Sequence, residues 1–225
     1  MGASPVWHSA DAMVRSPSWT SILGIVSFTG WLATAGCATT DGAAAKHVPR
    51  TGLQAADYYP LAEGWKWAYD LEKDGEKILA IYKVVERTAD AATIVAGDER
   101  LTYAIRPDGI AQMDLHGVGE GVGDYVLKNP LAKDATWPVS GGTARVVSTS
   151  EEVTLEAGRF YDCAVVEVTR TDPPRLARTI FAPDIGPVVI EVQVQQGGKY
   201  VTTTRARLRS ATKPGDDPFG AAKPQ

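Results

Sequence analysis

Side chains that commonly carry catalysis are scarce in this chain. Its 225 residues include 3 histidines and 2 cysteines. His8 lies in an apolar leader and His47 in a polar stretch, so His116 is the one histidine expected inside a domain. A typical zinc site needs four ligands, at least three of them from the protein, so no metal is expected. No cofactor motif occurs either. The run Gly117-Val118-Gly119-Glu120-Gly121-Val122-Gly123 has neither the G-x-G-x-x-G nor the G-x-x-x-x-G-K spacing and opens no helix, so it reads as a surface loop. There is no G-x-S-x-G elbow. Ser140 precedes Gly141-Gly142 and reads as a turn, and Asp114, Asp124, Glu151 and Glu152 are scattered on solvent faces. These absences point away from an enzyme. A hydrolase using His116 is the weakest alternative. Charge is balanced too: 23 Lys and Arg against 27 Asp and Glu give −4, without the basic stripe that nucleic acid requires.

Also missing is an apolar run of the about twenty residues that cross a bilayer as a helix. The apolar heart between Ile22 and Ala33 is shorter, and no residue from Ser16 to Thr40 is charged. With Arg15 before it, that stretch has the length and flanks of a signal peptide. Met13 is an alternative start. The stretch ends in Leu32-Ala33-Thr34-Ala35-Gly36-Cys37, which looks like a bacterial lipoprotein signal whose cysteine becomes the acylated first residue. Thr34 departs from the aliphatic residue usual there. The resemblance implies lipidation at Cys37, removal of 1–36 and attachment to the cell envelope. Ala38, rather than Asp, implies the outer membrane facing the periplasm. The implied partners are the membrane, through the lipid, and an envelope protein or lipid. Acylation of Cys37 would leave Cys163 alone, a small buried hydrophobe without a disulfide.

The rest reads as a flexible tether over 37–56, one antiparallel β domain over 57–210 and a disordered tail over 211–225. The period of the domain is two. Trp65, Trp67, Tyr69 and Leu71 share one strand face, Asp74-Gly75 is a hairpin signal, and Glu76–Glu86 returns. Both faces of that return strand are apolar, with Ile78, Ala80, Tyr82 and Val84 on one and Leu79, Ile81 and Val85 on the other, so it is expected to be covered on both sides. Further strands are predicted at 92–96, 100–105, 110–115, 143–148, 152–155, 160–169, 176–181, 187–195 and 199–208, the last pair joined by Gln196-Gly197-Gly198. A short helix is predicted near 127–133. About ten strands predict an all-β fold: a strongly curved sheet, half-barrel or sandwich.

Two segments share a spacing, Pro60-Leu61-Ala62 followed by Trp67 and Pro130-Leu131-Ala132 followed by Trp137. This is either a duplication or the same turn chemistry used twice. The following residues differ, which favours the turn.

Tyr58, Pro60, Leu61, Gly64, Trp67 and Tyr69 form a Tyr-x-Pro-Leu-x-x-Gly-x-x-Trp-x-Tyr opening. Ala157-Gly158-Arg159-Phe160-Tyr161-Asp162-Cys163 and Phe181-Ala182-Pro183-Asp184-Ile185-Gly186 follow. In this order the motifs resemble a family of uncharacterised bacterial envelope lipoproteins over about residues 58–208. Pro187 departs from the aliphatic residue usual there. The resemblance implies an antiparallel β fold, related to the curved half-barrels of periplasmic lipoprotein carriers, and no known reaction.

Two features remain as candidate sites. Trp65, Trp67, Tyr69, Tyr82 and Trp137 either build the core, since aromatics dominate β interiors, or line an apolar groove for an acyl chain or hydrophobic peptide. Arg205, Arg207 and Arg209 stripe one strand face, read as solvated. The leading expectation is a non-catalytic envelope lipoprotein with a structural or binding role, and the alternative is an acyl-chain carrier.

Overall fold

The computed structural model describes residues 47–115 and 123–216. They hold one four-residue helix, α1 (Ala55–Tyr58), and twelve strands. β1 (Lys66–Lys73), β2 (Glu76–Arg87), β3 (Ala91–Ala96), β4 (Glu99–Arg106), β5 (Gly109–Leu115) and β6 (Tyr125–Lys128) form one up-and-down run. β7 (Thr136–Val139), β8 (Gly142–Leu155), β9 (Gly158–Thr171), β10 (Pro174–Ala182), β11 (Gly186–Gln196) and β12 (Lys199–Thr212) form a second. The sheet order is β6-β5-β4-β3-β2-β1-β12-β11-β10-β9-β8-β7, antiparallel throughout. β1 and β12 therefore join the two runs, while β6 and β7 are the outer strands. Those two approach each other, and the Trp137 indole donates to the Tyr125 carbonyl at 2.9 Å. The sheet is thus all-β, strongly curved and nearly closed like a barrel, as the period-two pattern predicted.

The two runs begin identically. Trp65 N–H bonds to Ala62 O at 3.2 Å, and Ala135 N–H to Ala132 O at 3.0 Å. Gly64 and Val84 then exchange places with Asp134 and Val146. Gly64 N–H reaches Val84 O and Val84 N–H reaches Trp65 O; Asp134 N–H reaches Val146 O and Val146 N–H reaches Ala135 O. Gly64 and Asp134 both have positive φ, 91° and 68°. Pro-Leu-Ala therefore opens each six-stranded run with the same turn. The match extends beyond turn chemistry, because the turn occupies the same place in both halves. The structure gives the shared spacing a second meaning: two like halves, β1–β6 and β7–β12.

Alternation sets the core. Trp67 and Tyr69 are buried and face Tyr82 and Ala80 across the β1–β2 ladder. Trp67, Phe181, Leu127, Leu208, Val84, Val146 and Val188 are among the fully buried side chains. Asp74 and Gly75, at φ 50° and 88°, make the two-residue turn that matches strand twist.

The structure differs from the sequence reading in five places. Residues 127–133 form no helix; β6 and the turn before β7 occupy them, and neither four-residue strand has enough length to show a period. The strands predicted at 143–148 and 152–155 are one, β8, whose ladder with β9 breaks register three times. Those irregularities interrupt the alternation that periodicity reads. On β2 the second face is not covered: Leu79 and Ile81 are exposed, and so is Ile78 on the first. The tether predicted through Ala56 gives way by His47 to a strap packed on the domain. His47 stacks on Tyr161 with centroids 4.4 Å apart. Its Nε2 lies 2.8 Å from Asp162 Oδ2, which also accepts the Arg50 N–H at 2.9 Å. The Arg50 guanidinium pairs with Asp184, Ala55 N–H donates to Asn129 Oδ1, and Tyr58 OH donates to Asp162 O. The partners are distant in sequence, so no local pattern announced them. At the other end β12 runs to Thr212, two residues past the predicted boundary. Residues 1–46 and 217–225, with the predicted signal peptide and most of the tail, lie outside the described residues.

Candidate functional site

Trp65, Trp67, Tyr69 and Trp137 are all buried, and Tyr82 is partly buried against the core. Trp65 and Trp67 stack at 5.5 Å, and Tyr69 meets Tyr82 edge-on at 5.5 Å. Two of their polar atoms are engaged inside the protein. Trp67 Nε1 donates to Ile185 O at 2.6 Å and Tyr69 OH to Pro187 O at 2.8 Å. Burial raises the Tyr69 and Tyr59 hydroxyl pKa values well above the ordinary range. Trp137 stands apart from the rest, at the β6–β7 seam. The aromatic set is therefore packed core and seam, and the two clefts described below are lined by other residues.

The other chemistry-bearing residues of the sequence reading divide as follows. Cys37 and His116 lie outside the described residues, as do Gly117 to Val122. Ser140 is a turn residue. Its N–H and Oγ donate to Asp124, at 2.8 Å and 3.0 Å to Oδ1, and Arg170 donates to Oδ2 at 3.3 Å. Asp124 thereby clamps the segment entering β6 to the β7–β8 turn and to β9. Glu152 pairs with Arg159 across the β8–β9 hairpin. Cys163 is buried beside Asp162. Burial, and then the Asp162 charge, push its thiol up to about 12, which leaves it protonated and unreactive at neutral pH. Burial and Asp162 likewise raise Tyr58 to about 12. Asp162 gathers His47, Arg50 and Tyr58 through direct bonds, and no motif in the sequence marks it. Among the described residues no group of three or more His, Cys, Asp or Glu side chains could hold a metal ion.

The arginine stripe faces solvent as predicted, with Arg207 and Arg209 exposed, and it also borders a cleft. Arg205, Arg207 and Arg209 line a cleft of about 730 Å³. Its floor is Asp70–Glu72 of β1, Lys77–Leu79 of β2 and Arg205–Arg209 of β12, and its wall is the β8–β9 tip at Thr154, Leu155 and Glu156. Register orders the charges. Lys77 faces Glu72, Glu72 faces Arg205 and Arg205 faces Glu191, so one row alternates in sign across four strands. Arg205 Nε lies 2.8 Å from Glu191 Oε1. In the next row Leu79 faces Asp70 and Asp70 faces Arg207. Asp70 instead binds Arg209, at 3.1 Å. A second, shallower hollow of about 480 Å³ lies over Tyr59–Glu63, Arg87, Ile105 and Ile110. Sequence reading missed the first cleft. Its one signal was the double apolar face of β2, which a solvent-facing floor explains and a covered strand does not.

No family model matches the chain, and no curated protein does. Two crystal structures are similar to it. One is of a protein described as exported, with YmcC-like fold, from Bacteroides fragilis NCTC 9343; it is 14% identical, with 69% of this chain and 99% of that chain covered and a TM-score of 0.39. The other is of a protein described as a lipoprotein from Parabacteroides distasonis ATCC 8503, 14% identical, with 71% of this chain and 100% of that chain covered and a TM-score of 0.36.

Proposed function

We propose that the chain is a bacterial envelope lipoprotein, anchored through an acylated Cys37, whose β domain is a non-catalytic binding module. The observation that carries the anchor is the uncharged, short apolar run closing on Ala35-Gly36-Cys37. His47, ten positions after Cys37, is already bonded to the domain through Asp162. Each buried methylene of an acyl chain contributes about 0.8 kcal/mol, so the domain needs no membrane-spanning element of its own. Ala38 directs the protein to the outer membrane, facing the periplasm. The binding role is supported by the cleft between β12 and the β8–β9 tip. A carrier of acyl chains is the second reading, and the exposed apolar side chains of β2, Ile78 on one face and Leu79 and Ile81 on the other, favour it.

Intact-mass measurement of the membrane fraction tests the anchor. The expected species begins at a diacylglyceryl-modified Cys37, and Cys37→Ser moves the protein to the soluble fraction. A membrane-free chain with an unmodified Cys37 thiol overturns it.

A further inference from the structure

We propose that the outward face of β1 and β2 lies against an anionic bilayer surface. The inference goes beyond the anchor and rests on it only for the presence of lipid nearby. Register assigns the residues of this face. Lys83 faces Lys66 and Lys66 faces Thr212; Ile81 faces Ala68 and Ala68 faces Ser210. Leu79 faces Asp70 and Asp70 faces Arg207; Lys77 faces Glu72 and Glu72 faces Arg205. Trp67, Tyr69 and Leu208 alternate with these residues and form the buried side.

This face differs in charge from the molecule. On β2, β1 and β12, Lys66, Lys77, Lys83, Arg205, Arg207 and Arg209 stand against Asp70 and Glu72, a net +4 in a chain whose total is −4. Glu191 of β11, which pairs with Arg205, lowers it only to +3. Three strands are about 10 Å across, close to one Debye length, so these charges act together on a charged surface. The β8–β9 tip contacts β12, which leaves the β1 and β2 side for a broad partner. There Leu79 and Ile81 point outward at 54% and 55% exposure, with exposed Lys77 and Lys83 on either side along the strand. Aliphatic side chains flanked by lysines suit the headgroup boundary: the ammonium groups meet lipid phosphate and the aliphatic ends enter the acyl edge. Charge alone would suit an acidic protein equally; the two outward aliphatic side chains favour lipid. Ten residue steps separate Cys37 from His47, a span of at most about 35 Å, so an acylated chain keeps the domain within reach of the bilayer.

The test uses the full chain carrying Cys37→Ser, with a polarity-sensitive fluorophore on Ser210→Cys, on this face, or on Thr143→Cys, on β8. Cys163 is buried with its thiol protonated, so the label goes to the introduced cysteine. Vesicles are of phosphatidylcholine alone or of an equal mixture with phosphatidylglycerol. The leader is present in every variant and cancels in the comparison. A blue shift of the Ser210→Cys label is expected on the mixed vesicles, with none for the Thr143→Cys label. Each lysine near an anionic surface is worth about fivefold, so Lys77→Glu with Lys83→Glu should reduce the face-down population at least about tenfold. Leu79→Ser with Ile81→Ser should reduce it at least about threefold. Salt at about 1 M, where the Debye length is about 3 Å, should abolish the shift. No shift, an equal shift of the Thr143→Cys label, an equal shift on phosphatidylcholine alone, or either pair of substitutions without effect overturns the proposal. A shift with poly-glutamate and none on vesicles assigns the face to an acidic protein and overturns it too. All four substituted side chains are exposed, and circular dichroism checks that the variants fold. The chain tested has no acyl group, so failure here is separate from failure of the anchor.

Discussion

The half built from β1–β6 and the half built from β7–β12 enter the sheet through one turn and diverge in their next two strands. β2 and β3 have 12 and 6 residues, whereas β8 and β9 have 14 each. β9 pairs with β10 only from Ala164 onward, so Gly158–Cys163 extend past that ladder. The strap from His47 to Tyr58 covers part of this extension through Asp162, and the hairpin tip walls the cleft against β12. The first half contributes the floor, on β1 and β2. Backbone bonding at the entry fixes where a run starts, while side-chain packing further along decides how far its strands continue.

The largest expected effect tests whether the two entry tryptophans are equivalent. Trp67→Ala should cost about 3–5 kcal/mol in urea unfolding, because the side chain is fully buried against Trp65 and Gly186. Trp137→Ala should cost less, since it sits at the seam rather than in the centre; equal losses would make the halves alike in packing as well as in turn. Next comes the seam clamp. Asp124→Ala removes the acceptor of the Ser140 N–H and Oγ and one of the acceptors of Arg170, and should cost about 1–3 kcal/mol. No change in the denaturation midpoint would mean that the seam is held by Trp137 alone.

The turn itself gives a smaller effect. Gly64→Ala forces a Cβ into a left-handed position, worth about 1–2 kcal/mol, although Pro214 leaves ordinary contact room at 3.5 Å. Asp134 already occupies the equivalent position, so Asp134→Gly should relieve backbone strain while losing the Arg145 pair, a much smaller net change. Equal destabilisation by the two substitutions would break the equivalence of the turns.

The alkaline limit samples the strap region of the second half. Tyr58 and Cys163 have folded pKa values of about 12, raised above ordinary values of 10.0 and 9.0. Their contribution is fully present below those ordinary values and is lost as pH rises toward 12, because the unfolded chain releases protons first. Stability should therefore decline from about pH 9 upward. Tyr58→Phe with Cys163→Ala should flatten that decline; an unchanged slope would assign it to the buried Tyr59, Tyr69 and Tyr103.

The strands that could be read in advance were those with long alternation and turn dipeptides. β1, β2, β11 and β12 carry seven or more residues of period-two pattern, and Asp74-Gly75 and Gly197-Gly198 mark their hairpins. β6 and β7 have four residues each and gave no period. The aromatic residues were correctly placed on one face, but a face alone does not say whether a partner layer closes over it. Leu79 shows the converse: an apolar side chain on a strand reads as buried until the covering layer is found to be missing.

By itself the sequence determined the secondary structure class, the β1–β2 and β11–β12 hairpins and the faces of Trp65, Trp67, Tyr69 and Tyr82, because those depend on local alternation and turn chemistry. It also carries the Cys37 pattern, which is a linear signal. Tertiary structure alone decided that β1 joins β12, that Asp162 binds the strap, and that Arg207 shares a cleft with Leu79. Each of these pairs residues more than a hundred positions apart, where no local rule acts and only the closing of the sheet brings them together.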